Sequence, residues 1–491
     1  MERFDVCVIG AGPAGFAAAI RAIDFGQSVA LIEREKVGGA GIFNGALSSK
    51  TLWELSESYK GVYATHLGYT VFDCDLSYSA VINEMHRAVA EKHTQMKQQI
   101  AYFQKQGKLQ YFQGAAKFLS PHTIDVDMGE GKHHAIHADH AVLAIGSRPR
   151  YLPNIPIDEK TILTSDGIAS LTDFPRSIVI LGAGVIGCEF ATIFSNYRKT
   201  KVYLIDKEER ILPFEDEDIS HAVASNLERN GVVIHHGASL EKMSIVDGKV
   251  EYILNYKDGR HEILTVEKAL ISVGRVANTD NLGLDAAGVA LNDRGFVDDE
   301  DTQTNVSHIY AVGDLTADIS LVNVGELEGR YAIEKMFGDP QHELVYDNIS
   351  TIMFLNPEVA SVGLNEIQAR RKKIPYRVAV MNYRYVNRAI AMSKTEGFFK
   401  LLVTDDEQMH ILGLRVMGDH ASSTIEAVAL MISMDISIEH LAELIFPHPS
   451  IPEGIQECAR MLLGKSIVKP EVFNLDVRCY RVDAEGRVQD L

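Results

Sequence analysis

Hydrophobic residues in this chain gather first into short unbroken runs closed by glycine turns. Phe4-Asp5-Val6-Cys7-Val8-Ile9 reads as a strand and leads into Gly10-Ala11-Gly12-Pro13-Ala14-Gly15. A helical segment, Phe16 to Phe25, follows, and the next strand, Val29-Ala30-Leu31-Ile32, ends on Glu33. The same order returns at Ser177-Ile178-Val179-Ile180-Leu181, Gly182-Ala183-Gly184-Val185-Ile186-Gly187, and the strand Lys201 to Ile205, which ends on Asp206. Two strand-turn-helix-strand units predict an α/β protein. Ser177 to Ser195 is apolar enough to suggest a membrane span, but its glycines and Glu189 fit a strand-turn-helix better, so no membrane insertion is expected.

Elsewhere the period changes. From Leu76 to Gln106, Val81, Met85, Val89, Met96, Ile100 and Phe103 recur at helical spacing, which predicts one long amphipathic helix whose methionines are packing. Past about residue 350, strands mix with two helices, and Tyr480 to Leu491 is polar enough to predict loose order. The run Glu215-Asp216-Glu217-Asp218 is expected to be a solvated face.

Composition narrows the function. With 491 residues, 46% hydrophobic, the chain can bury several cores, and about three or four domains are expected. A formal net charge of −19 argues against nucleic acid or an anionic membrane as partner. The cysteines Cys7, Cys74, Cys188, Cys458 and Cys479 form no CxxC pair and no paired framework, and a strand opens the chain with no leader before it. A reduced, cytoplasmic setting is therefore expected, and no metal site.

The glycine turns carry chemistry. Gly10 permits the tight turn, Gly12 lets the backbone approach a pyrophosphate, Gly15 lets helix and strand pack, and the helix N-terminus attracts phosphate. Glu33 can accept hydrogen bonds from ribose hydroxyls. Gly182, Gly184, Gly187 and Asp206 repeat the arrangement, so two dinucleotides are expected, one resident and one exchanging. A carboxylate at Asp206 favours NADH and repels the 2′-phosphate of NADPH, making NADP(H) the less favoured coenzyme. Lys207 and Arg210 stand close enough in sequence to soften that repulsion.

Between these units lies Gly38-Gly39-Ala40-Gly41-Ile42-Phe43-Asn44-Gly45-Ala46-Leu47-Ser48-Ser49-Lys50. It resembles the active-site helix of the flavoprotein disulfide reductases, the dihydrolipoamide dehydrogenase and glutathione reductase family. That family has two cysteines, separated by four residues, where this chain has Gly41 and Ala46. Thr304 to Asp314 resembles its second flavin motif, and Ala144 to Pro149 and Ser272 to Arg275 resemble its paired ATG-like strand ends. The resemblance covers essentially residues 1 to 465.

The resemblance implies two Rossmann-like domains, for FAD and NAD(P), and a C-terminal α+β dimerisation domain. Its expected bounds are 1–150 and 277–349 for the FAD-binding parts, 151–276 for NAD(P), 350–470 for dimerisation and 471–491 for a tail. It places FAD against Gly10, Gly12, Gly15, Glu33, Gly39, Gly114, Gly146, Ser147, Gly274, Gly313 and Asp314. Lys50 would lie beside the flavin ring, stabilising negative charge on reduced flavin, and Glu189 would pair with it near the nicotinamide. Phe446-Pro447-His448-Pro449-Ser450-Ile451-Pro452-Glu453 resembles the family's HxHPTxxE segment, with Phe446 and Ser450 as departures. In the family this histidine and glutamate serve the partner's active site across a homodimer. Here His448 either protonates the reduced acceptor or survives as an interface hydrogen-bonding residue. Cys458 and Cys479 do not resemble the C-terminal shuttle pair of some relatives.

Without the two thiols no disulfide can relay electrons. The expected function is an FAD-dependent NAD(P)H oxidoreductase that passes hydride from NADH through flavin directly to a small, quinone-like acceptor. The small residues at 41 and 46 are expected to open space beside the flavin, with Phe43 partly refilling it. Alternatives are a soluble pyridine nucleotide transhydrogenase, a dihydrolipoamide dehydrogenase-like protein without lipoamide activity, and a non-catalytic FAD/NADH redox sensor.

Overall fold

The computed structural model describes every residue except 64–67, 69, 72, 73, 341 and 342. The described residues form two compact units.

The first unit comprises Met1–Glu54, Leu76–Phe174 and Ser272–Leu344. Its centre is a parallel sheet in the order Ile309–Ala311, His133–Leu143, Glu2–Ile9, Val29–Glu33, Leu109–Gln113. Parallel strands buried on both faces need continuous apolar runs, which is why Val6 to Ile9 and Val29 to Ile32 are fully buried. Register pairs Ile9 with both Ile32 and Leu143. Gly10, Glu33 and Ala144 therefore emerge together at the carboxyl edge, where open α/β sheets bind ligands. The helix Pro13–Asp24 covers one face and packs on the helix Val322–Phe337 through small residues. A Cβ on Gly329 would lie 2.2 Å from the Ala14 carbonyl oxygen, so the two backbones touch. The long helix spans Tyr78–Lys105, close to the predicted bounds, and buries Met85, Val89, Met96 and Ile100.

The second unit comprises Leu55–Asp75, Pro175–Ile271 and Val345–Leu491. Its parallel sheet runs Val233–His235, Lys201–Ile205, Ser177–Leu181, Lys268–Ile271. A seven-stranded antiparallel sheet follows in the order Ser350–Met353, Val359–Gly363, Ile411–Met417, Phe398–Thr404, Tyr376–Asn382, Val477–Val482, Val488–Asp490. The helices Glu426–Ser433, Ile438–Glu443 and Glu453–Leu462 share its core.

Two expectations are corrected here. The tail at 471–491 is not loose: Val477–Val482 pairs with Tyr376–Asn382 along six residues, and Tyr480 is buried with its hydroxyl on Glu366 at 2.9 Å. Its polar look comes from the exposed Arg478, Arg481 and residues 484–491, while both faces of the strand are covered: Val477 and Cys479 join one cluster, Tyr480 and Val482 another. The acidic run is not a solvated face either, since Glu215 and Asp216 are buried. Lys400, equally buried, binds Asp216 at 3.0 Å, Asp218 at 2.9 Å and Glu366 at 2.5 Å, and Arg415 reaches Glu215 at 3.3 Å. Burial alone would lower the Lys400 ammonium, but the carboxylates around it outweigh that and raise it. Burial pushes Asp216 up.

Candidate functional site

Backbone geometry divides the glycines of the first turn into two roles. Gly10 has φ +101°, and a Cβ there would lie 2.3 Å from the Ala144 carbonyl oxygen. A Cβ on Gly15 would lie 2.0 Å from the Gly10 carbonyl oxygen. Both are required by the fold. Gly12 differs: it precedes the helix Pro13–Asp24, no side chain caps that end, and open space lies before it. First-turn amides without partners beside open space fit a pyrophosphate. Gly39 closes the cradle, because a Cβ on it would come within 3.3 Å of the Gly12 Cα.

Glu33 ends its strand with Oε2 accepting from the Ala11 amide at 2.8 Å and Oε1 from the Glu35 amide at 2.7 Å. The Gly114 amide donates to the Glu33 carbonyl at 2.9 Å, which brings that segment to the same edge. On the other side of the sheet, Ser147 donates to Asp314 Oδ2 at 2.7 Å, while Arg275 holds both the Ser147 hydroxyl and its carbonyl at 2.7 Å. Gly146 precedes Ser147 in a left-handed turn, and the Gly274 carbonyl accepts from the Arg150 amide at 3.0 Å. The three motifs that lie far apart in sequence thus converge.

Gly313 stands beside this cluster, and its amide donates to Glu328 at 2.6 Å. Glu328 is buried and was not among the sequence candidates. Its signal was an acid between Gly325 and Gly329 on a face of small residues. Arg275, which holds Ser147, lay inside a recognised motif without being singled out.

The second unit repeats the plan. Gly182 donates to the Ile205 carbonyl at 2.9 Å, and Asp206 accepts from Ala183 at 2.7 Å and Glu208 at 2.9 Å. Gly184 precedes the helix Val185–Asn196, again with no side-chain cap and open space before it, and Gly187 is buried in the first turn. Glu189 is buried on that helix, with Oε1 accepting from the Phe354 amide at 3.1 Å.

Arg210 is bonded within its own segment. Its guanidinium is held by the Glu215 carbonyl at 2.9 Å, Ser220 Oγ at 3.0 Å and the Pro213 carbonyl at 3.1 Å. Lys207 is exposed and lies 3.8 Å from Glu208.

Lys50 lies half-buried in the first unit, in the second turn of the helix Ala46–Val62. The expected open space at Gly41 is absent. A Cβ there would meet Pro13 Cγ at 2.4 Å and Val322 Cγ2 at 3.5 Å, so the fold has closed around the missing side chain. Phe43 does not refill it; its ring packs edge-on against His93 at 5.2 Å, with the Lys36 ammonium 4.9 Å from its centre. In the second unit His448 Nδ1 donates to Glu453 Oε1 at 2.7 Å, and the Ser450 amide donates to Oε2 at 2.7 Å. Fixing Nδ1 sets the tautomer and leaves Nε2 for chemistry.

All five cysteines are free, and all but Cys74 are buried. Burial pushes the thiols of Cys7, Cys188 and Cys458 far above the ordinary range, and that of Cys479 up to about 12. Thiols so disfavoured as thiolates are poor nucleophiles for disulfide exchange. Among the described residues no group of three or more His, Cys, Asp or Glu could hold a metal ion, and no helix is long and apolar enough to cross a membrane.

The two sites, each a phosphate cradle beside a carboxylate, define a two-dinucleotide redox protein. Residues 4–329 match the pyridine nucleotide-disulphide oxidoreductase family, and residues 349–459 match its dimerisation domain. The chain belongs to that family, and its cofactors are FAD and NAD(H). It is 32% identical to dihydrolipoyl dehydrogenase of Bacillus subtilis (strain 168) over 476 residues, covering 95% of this chain and 99% of the relative. Against mitochondrial dihydrolipoyl dehydrogenase of Pisum sativum it is 31% identical over 472 residues, covering 95% and 93%. Among solved structures it resembles the HOCl-induced flavoprotein disulfide reductase RclA from Escherichia coli, with TM-score 0.82, 26% identity, and 93% and 100% coverage. LpdA from Mycobacterium tuberculosis shares the fold, with TM-score 0.85 at 24% identity over 94% and 100%.

Proposed function

We propose that this chain is an FAD-dependent NADH oxidoreductase that delivers electrons to a small quinone-like acceptor with no protein disulfide between. The observation that carries this reading is Gly41: the position has no thiol, and Pro13 occupies the volume a side chain would need. FAD supplies a two-electron centre able to accept hydride and release it to a molecule in contact with it.

The chain's own residues then have separable tasks. The amides after Gly12 and the Glu33 carboxylate would hold FAD by pyrophosphate and ribose, and the polar cluster of Ser147, Arg275 and Asp314 would offer hydrogen bonds to its ribityl hydroxyls. The amides after Gly184 and the Asp206 carboxylate would hold NADH, and the Asp206 charge would repel a 2′-phosphate. Lys50 places an ammonium near the flavin, and Glu189 orients the nicotinamide side. Reducing a quinone takes one hydride and one proton; His448, in its protonated form and aligned by Glu453, gives that proton from Nε2. In a homodimer, the form the dimerisation domain supports, this pair serves the partner's acceptor.

Asp206 weighs against a transhydrogenase, which must also bind NADP. Dihydrolipoyl chemistry, the activity named for its relatives, needs a thiol pair this helix lacks. Steady-state NADH oxidation with menadione, lipoamide and NADP as separate acceptors tests the reading. Turnover with menadione at least about a hundredfold above that with lipoamide or NADP is expected. Equal or faster turnover with lipoamide would overturn it.

A further inference from the structure

The helix Ala46–Val62 carries a carboxylate, Glu57, two turns beyond Lys50, and the proposed reaction does not use it. Glu57 accepts from Asn356 Nδ2 through both oxygens, at 2.5 Å and 2.6 Å, and from Asn196 Nδ2 at 2.5 Å. Asn196 also donates to the buried Ser56 hydroxyl at 3.0 Å. Burial pushes the Glu57 carboxyl up, and Asn356, Lys60, Asn196 and Lys394 act in the opposite direction. A half-buried carboxylate tied by two amides is costly where a neutral side chain would pack, so its partners matter.

Both partners lead to Glu189. Asn196 ends the helix Val185–Asn196, seven residues after Glu189, and two turns of separation put them on one face. Asn356 stands two residues beyond Phe354, whose amide donates to Glu189 Oε1 at 3.1 Å. The short segment from Phe354 to Asn356 is thus gripped at one end by Glu189 and at the other by Glu57. Glu57 is itself fixed to the far end of the Glu189 helix.

We infer that Glu57 is a positioning residue for Glu189, holding Asn356 and Asn196 so that the Phe354 amide stays on Glu189 Oε1 and sets where that carboxylate points. This rests on the reading that Glu189 serves the nicotinamide side of hydride transfer. Release of Asn356 lets the Phe354 amide drift, and Glu189 loses that bond to its Oε1. A displacement on the order of 1 Å at a group orienting a reactant lowers rate without abolishing binding.

The experiment is anaerobic stopped-flow reduction of the FAD-loaded protein by NADH, with flavin content and thermal midpoint as folding controls. Glu57→Gln is expected to lower the limiting rate of flavin reduction about tenfold while changing the apparent affinity for NADH less than about twofold. Pairing Glu57→Gln with Asn356→Asp reverses donor and acceptor: the introduced amide then donates to the introduced carboxylate, and its oxygen still accepts from Asn196. That double variant is expected to recover the rate to within about threefold. In a Glu189→Gln background, Glu57→Gln is expected to cause no further loss. Where Glu57→Gln does not fold, Asn356→Ser breaks the same grip and is read in the same way.

An undiminished rate in Glu57→Gln, no recovery in the reversed pair, or an independent loss added to that of Glu189→Gln overturns the positioning role alone. A Glu189→Gln variant with the parental rate brings down the reading of Glu189, and the positioning role with it.

Discussion

Gly41 is where a single residue constrains the chemistry most. A glycine replacing a cysteine could leave a hole that a new thiol would fill, yet here Pro13 and Val322 close on the position. The proline ring is stiff and starts a helix, so it cannot swing aside as a flexible side-chain end would. Gly41→Cys is therefore expected to destabilise the protein by about 1–3 kcal/mol, measured by denaturant unfolding of the FAD-loaded form. Pairing it with Ala46→Cys is expected to give no lipoamide activity. A double-cysteine variant of parental stability that turned over lipoamide would mean the site can still host the relay. Asp299 gives a residue-scale pH test. Burial and the carboxylates of Asp318, Asp298 and Asp301 outweigh the Thr302 amide and push it up to about 6. The folded chain then holds a proton at pH values where the unfolded chain has lost it. This group consequently costs stability above its folded pKa, and the cost fades as pH falls through about 6. Because the group is partly exposed, the effect is on the order of 1 kcal/mol. Asn at this position should stabilise at about pH 8 and flatten the rise in stability toward about pH 5. An unchanged slope in Asp299→Asn would contradict this.

At the level of elements, the chain's apolar grammar and its charges had different fates. The two glycine turns and their closing acids were readable because each pair lies within about twenty-five residues, Ala11 with Glu33 and Ala183 with Asp206. The run from Glu215 to Asp218 was not, because Lys400 lies 182 residues from Asp218 and Arg415 lies 200 from Glu215. No local pattern announces such a partner. Arg210 shows the same limit, since its place in the sequence does not reveal that two carbonyls and the Ser220 hydroxyl of its own segment hold it. The strand Val477–Val482 looked like a tail because Arg478 and Arg481 interrupt its apolar residues, and the partners that bury both of its faces lie elsewhere in the chain. The buried Lys400 cluster gives a direct test of the element scale. Removing its cation leaves Asp216, Asp218 and Glu366 uncompensated, so Lys400→Ala is expected to cost about 3–5 kcal/mol in denaturant unfolding. A loss below about 1 kcal/mol would mean these carboxylates are already neutral or hydrated.

For the whole molecule, both units present the same device: a parallel-sheet edge, an uncapped helix start and a carboxylate held by two backbone amides. Gly41 and Ala46 stand where the family resemblance puts two thiols, and every cysteine of this chain lies elsewhere. The electron capacity of the protein is therefore the quantity that decides the matter. Anaerobic titration of the FAD-loaded protein with NADH, or with dithionite, counts that capacity per flavin. The account predicts complete bleaching at one two-electron equivalent per FAD and no further uptake. Uptake of a second equivalent, with charge-transfer absorbance at the halfway point, would reveal a redox-active sulfur pair and contradict direct transfer.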